Sequence, residues 1–233
     1  FYMVSRFEEY LPYVKDKYSR FEASKSLAFE KGFLQKPVVN LWARAVKNAL
    51  LRKYPALTFE EQKYSVRSTI DIDSAWYYKN KGLVRSVGSL IAAAVQLNYT
   101  DILQRIKVIL NLGRDPFDTY DQQLGIHGKY GLKPMYFVLI GDYGRNDKSI
   151  HFNNRKFQVL IKSLADYADI GLHASFNSSF EPERVKMEAD RLGAVVHREV
   201  VHARQHFLRL NMPLTYRHFL ESGIREDYSM GFY

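Results

Sequence analysis

Ser68-Thr69-Ile70-Asp71-Ile72-Asp73-Ser74 alternates isoleucine with aspartate and closes on an Asp-x-Asp pair, just before the aromatic cluster Trp76-Tyr77-Tyr78. A short β-type run, Tyr64-Ser65-Val66-Arg67, leads into it. Strand side chains alternate faces, so Asp71 and Asp73 point the same way, with Cα atoms roughly 6.6 Å apart. Two carboxylates ending a buried strand repel each other and lose hydration, a cost that a cation or a proton relieves. Two readings follow: a divalent metal with one aspartate as ligand and the other as base, or two solvated acids capping a turn.

Upstream, Val38, Leu41, Trp42, Ala45, Val46, Ala49 and Leu50 fall on one face at helical spacing, and Pro55 stops the pattern. Trp42 reads as the core anchor of that helix. Residues 1–36 mix aromatics, charges and glycine, with one short helix ended by Pro12. Downstream, helices are expected over 84–97 and 101–112, the second capped by Thr100. A helix or loop follows over 117–132, then an apolar run over 134–141 that suits a strand buried on both faces. The pattern continues as helix 157–167, strand 169–173, a helix from Glu181-Pro182-Glu183 to about residue 192, strand 199–204, helix 215–220 and strand 224–227. Alternating strands and helices define an α/β architecture with a mainly parallel sheet or barrel.

At 233 residues, 46% of them hydrophobic and 15% aromatic, the chain buries a sizeable core in one domain or one and a half. The absence of cysteine excludes disulfides, thiolate metal sites and cysteine nucleophiles. A net charge of +9 favours a polyanion-facing or membrane-apposed surface. The basic residues are scattered with no run of five, so no nucleic-acid partner is expected. No apolar stretch approaches the ~20 residues that span a bilayer. Phosphate-binding glycine loops and the GxSxG elbow are missing. The chain opens Phe1-Tyr2-Met3 and stops in mid-pattern at Met230-Gly231-Phe232-Tyr233, as a piece of something longer would.

Asp71 and Asp73, His173, and Arg204 with His206 stand at the C-terminal ends of three different expected strands, the edge where α/β proteins build sites. His173 opens the polar loop Ala174-Ser175-Phe176-Asn177-Ser178; it suits a metal ligand, or a histidine that bonds backbone. His202 and His206 would share a helix face, but Ala203 stands where a zinc protease needs glutamate, and on a strand they lie roughly 13 Å apart. Only His206 is retained; His127, His151, His197 and His218 are surface or structural by default. Arg204 must pair with an acid if its head is dry, either orienting Asp71 or making a structural salt bridge.

These residues resemble the polysaccharide deacetylase family, in its divergent Bacteroidetes-type branch. Thr69-Ile70-Asp71-Ile72-Asp73 is similar to the family's first motif, which implies Asp71 as catalytic base and Asp73 as metal ligand; the isoleucine between the acids is a variant form. Gly171-Leu172-His173-Ala174-Ser175 resembles the second motif and implies His173 as ligand. Asn177 stands where the family has a second histidine, which implies a weaker site, a ligand borrowed from His206 or His151, or no metal. Arg204-Gln205-His206-Phe207-Leu208 sits at the arginine motif, followed by Gly223-Ile224 and Asp227-Tyr228-Ser229, and implies Arg204 as orienter of the base.

The resemblance covers residues 64–233. It implies a distorted (β/α) barrel over 61–233, incomplete at its C-terminus, preceded over 1–60 by the end of an accessory domain. The implied activity is that of a bacterial hydrolase that removes acetyl groups from a carbohydrate with a divalent metal, zinc above all. Trp76, Tyr77, Ser175 and Asn177 would face the sugar, although packing is the commoner fate of such aromatics. The alternative is a degenerate glycan-binding or scaffold domain of the same fold, to which Asn177 points.

Overall fold

The computed structural model describes residues 2–61 and 63–231. The N-terminal part holds a 3-10 turn at Phe7–Tyr10, an antiparallel bridge between Lys15 and Phe21, and helices α1 (Leu27–Glu30) and α2 (Val38–Lys53). The remainder runs β1 (Thr69–Ile72), α3 (Leu83–Val95), α4 (Tyr99–Ile109), α5 (Tyr120–Lys129), β2 (Met135–Val138), α6 (Arg155–Ala165), β3 (Asp169–Ala174), α7 (Pro182–Val196), β4 (His202–Gln205), α8 (Leu214–Glu221) and β5 (Glu226–Asp227).

All five strands are parallel and lie in sequence order, β1-β2-β3-β4-β5. Such winding in one direction builds a barrel wall, whereas a doubly wound sheet reverses its order at a switch point. The wall is curled: Arg204 on β4 reaches Thr69 and Asp71 on β1, and Arg67 ahead of β1 bonds the Tyr228 hydroxyl after β5. Among the described residues no strand pairs β5 with β1: the structure shows an α/β fold with a curled five-stranded parallel sheet, and the expected barrel is not closed.

The period of two sorts this sheet into two faces. Ile72, Tyr136, Val138, Ile170, Leu172 and Ala203 point outward into one core with Phe157, Ile161, Leu164, Leu192 and Phe219 from the helices. On the concave face, Asp71 stands in register with Phe137, which stands in register with Gly171. A Cβ on Gly171 would lie 2.7 Å from the Phe137 ring, so the glycine makes room for that ring. Arg204 in turn lies over Phe137 at 4.6 Å. The concave face is thus floored by one aromatic ring with the charged residues above it.

Three local expectations need correction. Residues 64–67 are not strand; pairing begins at Thr69. The cap of α4 is Asn98, whose side chain accepts from the Asp101 backbone N–H, not Thr100. Trp42 is 55% exposed and α2 buries no residue, so the helix is where periodicity placed it but its apolar stripe meets no core. Periodicity reports a face, not what covers it.

Candidate metal centre

Asp73, His173 and His206 each turn one ligand atom toward a common point, and these atoms all lie within 4.8 Å of one another. Asp73 follows β1, His173 lies in β3, and His206 follows β4 in a turn. Asp73 Oδ1 stands 3.2 Å from His173 Nε2 and 3.6 Å from His206 Nε2. Both imidazoles are buried, and the Asp73 side chain is half-exposed at the mouth. The centre opens into a cleft of about 560 Å³, lined also by Asp71, Arg204, Phe207, Leu208, Tyr228 and Met230.

Each imidazole is held from behind. His173 Nδ1 lies 2.9 Å from the carbonyl of Arg204, its register partner on β4, and donates to it in the tautomer that leaves the Nε2 lone pair facing Asp73. His206 Nδ1 lies 2.9 Å from Oδ1 of Asp147, a buried carboxylate that also accepts from the Phe176 N–H. An imidazole held through one nitrogen by a carbonyl or carboxylate, with the other aimed at a shared point, is the arrangement of metal-binding histidines. Two nitrogens and one carboxylate oxygen form a donor set that suits zinc and similar first-row ions.

The protonation states fit this crowding. Hydrogen bonds to His173, and next to His206, hold the Asp73 carboxyl well below the usual carboxylate range, against the effect of burial. Burial disfavours the charged form of His206, but its bonds to Asp147 and Asp73 outweigh this and raise its pKa to about 9. The protein by itself therefore gathers positive charge onto the imidazole to balance its carboxylates; a cation could take over that balance.

Asp71 stands beside this group without joining it, its Oδ2 4.0 Å from His173 Nε2. Arg204 holds the other oxygen through Nη1 at 2.7 Å, while Nη2 donates to Thr69 Oγ1 and Nε to the Tyr228 carbonyl. The guanidinium is fixed on three sides and leaves one edge of Asp71 open to the cleft.

The other sequence candidates lie elsewhere. Trp76 is buried in the core on the convex side of the sheet and is closed to a ligand. Tyr77 is exposed but packs edge-on against Phe117 at 5.0 Å, outside the cleft. Ser175 is buried, its N–H bonded to Glu188 and its hydroxyl accepting from the Ser178 N–H. Asn177 is exposed and does not line the cleft. None of these four lines the cleft, whose walls include Phe207, Leu208, Tyr228 and Met230. His151 stacks on Phe152 and accepts from Asn153, apart from the triad, and His202 faces Glu226 at 3.4 Å.

Asp147 was missed. Sequence reasoning assigned acids or ligands to the ends of β1, β3 and β4, and in the loop after β2 it considered only His151, not this acid. An empty position on an otherwise occupied sheet edge was the available signal.

Residues 1–55 match the model of a family described as a family of unknown function, DUF7033. Among solved structures, a candidate polysaccharide deacetylase from Mycobacterium smegmatis is similar over 73% of this chain, with 15% identity and a TM-score of 0.44. This chain spans about half, 53%, of that protein's length. No curated protein matches the chain. A likeness of that size leaves the function to be argued from the site itself.

Proposed function

We propose that this chain carries a metal-dependent hydrolase site that removes acetyl groups, as amide or ester, from a carbohydrate. The observation that supports it is the convergence of Asp73, His173 and His206 beside an aspartate held by arginine. Asp73, His173 and His206 would hold the ion, zinc by its donor set. When bound, a divalent ion there supplies Lewis-acid polarisation of an acyl carbonyl and a lowered pKa for water. Asp71 accepts the proton released from the attacking water and would return it to the leaving amine or alkoxide as the acyl C–N or C–O bond breaks. Arg204 holds one oxygen of its carboxylate and keeps it turned toward the triad, a positioning role. The cleft walls, Phe207, Leu208 and Tyr228, offer ring and aliphatic surface for a sugar.

The resemblance in the three motifs supports the same reading. In this reading His206 would supply the third ligand, where Asn177 replaces the histidine that the resemblance implies. The division into an accessory part over 1–60 and a catalytic part over 61–233, in the family's barrel, belongs to this proposal.

Metal analysis of the purified chain, paired with acetate release from a panel of acetylated glycans, tests it. Bound zinc that is lost in Asp73→Asn, together with metal-dependent acetate release, is the expected result. A metal-free chain that binds glycans without releasing acetate would instead make it the scaffold domain of the alternative reading.

A further inference from the structure

The hairpin of α3 and α4, inserted between β1 and β2, buries an arginine on α4 and leaves apolar residues exposed on both helices. On α4, Arg105 and Val108 are the buried pair, the guanidinium lying 4.8 Å over the Tyr78 ring and bonded to Asp101. The opposite face, Tyr99, Leu103, Ile106 and Leu110 at i, i+4, i+7 and i+11, is exposed; Leu103 and Leu110 are 60% and 61% accessible. Val87, Ile91 and Val95 add an exposed stripe at i, i+4 and i+8 on α3, which packs against α4. A helix of a globular domain normally turns such a stripe to the core. Reversed and shared by two helices, it marks a docking surface.

The charge of this segment selects the partner. Residues 79–114 hold Lys79, Lys81, Arg85, Arg105, Lys107 and Arg114 against one acid, Asp101, so this short stretch carries +5 of the chain's +9. Lys107 and Arg114 are exposed beside the apolar stripe. A second copy would set one basic segment against another. An anionic bilayer instead supplies phosphates for the cations and acyl chains for the leucines and isoleucines.

We propose that the α3–α4 hairpin docks on an anionic membrane surface, lying in the interface with its apolar stripes inserted. Among the described residues no helix is long and apolar enough to cross a membrane, so this docking is peripheral. Asp115 accepts from the backbone N–H groups of Tyr77, Tyr78 and Lys79, which clamps both ends of the hairpin together shortly after Asp73 and the end of β1. The inference does not depend on the metal reading.

Co-sedimentation of the full chain with vesicles of phosphatidylcholine, with and without phosphatidylglycerol, tests it. Binding is expected to the phosphatidylglycerol vesicles and to weaken with salt. Each surface cation is worth roughly fivefold in partitioning, so Lys107→Gln with Arg114→Gln should lower it roughly 25-fold. Leu103→Ser with Leu110→Ser should abolish it without lowering the melting temperature, because these side chains are in solvent. Absence of binding to phosphatidylglycerol vesicles, or binding unchanged in both variants, would overturn the proposal. So would a dimer in velocity sedimentation that the serine variant splits, which would give the face to a second copy.

Discussion

Asp147 Oδ1 lies 2.9 Å from His206 Nδ1, and the aspartate that makes this contact is 1% exposed. A carboxylate is costly to bury unless its partners need it. Here it fixes the ring whose other nitrogen faces Asp73. Asp147→Asn keeps the size and the acceptor but removes the charge. Zinc affinity is expected to fall roughly 10–100-fold in a competition titration, with the fold retained by circular dichroism. Unchanged affinity would show that His206 takes no part in holding the ion.

Arg204 grips Asp71, Thr69 and the Tyr228 carbonyl at once. Lysine cannot reproduce a planar fork with three such contacts. In Arg204→Lys, acetate release from an acetylated glycan should fall about a hundredfold in kcat, with zinc stoichiometry unchanged. Loss of the metal in this variant would place Arg204 in the architecture of the triad instead.

The segment around Arg20 touches the turn that presents His206. Arg20 Nη1 donates to the Phe207 carbonyl at 3.0 Å, and the Tyr18 ring lies 4.8 Å from the Phe207 ring. Phe207 holds φ at +62°, a conformation that needs support in a bulky residue. Asp16 braces Arg20 through Nε. Arg20→Ala should cost about 2 kcal/mol in urea denaturation and weaken zinc binding as well. A stability loss with zinc affinity intact would mean that the segment supports the fold but not the ligand turn.

Glu188 on α7 is fully buried, and one of its oxygens has no hydrogen-bond partner among the described residues. Burial pushes its pKa from the ordinary 4.5 to about 7, with the nearby Asp147 charge adding to the rise and Ser175 and Arg191 opposing it. The folded state thus binds this proton more tightly than the unfolded chain. Its stabilising contribution is whole below pH 4.5 and is lost as pH rises toward 7, by roughly 3 kcal/mol at most. Glu188→Gln, neutral throughout, should flatten the pH dependence of the denaturation midpoint in that window. An equally steep profile in the variant would assign the slope to other groups.

Much of the architecture was legible because its signals are local. The alternation in Thr69-Ile70-Asp71-Ile72 sends aspartate to one face and isoleucine to the other without reference to any other part of the chain. The apolar run before Gly141, and the helices from Arg155 and Pro182, were legible for the same reason. Trp42 shows the limit of such signals: its helical stripe was read correctly, yet the ring is in solvent, since only a partner makes a stripe a core. Trp76 failed in the opposite sense, as its place beside the acids suggested a ligand contact while the core claimed the ring.

Strand alternation and the placement of chemistry at strand ends were therefore written in the order of the residues, because they depend on neighbours one or two positions away. The completion of the centre was not. His206, rather than His151 or Asn177, faces Asp73 because the sheet curls and β4 ends in a turn braced by the N-terminal segment. Asp147 reaches it from a loop whose path only the packed core determines. Contacts between residues so distant along the chain depend on the geometry of the whole wall, and no local pattern carries that information.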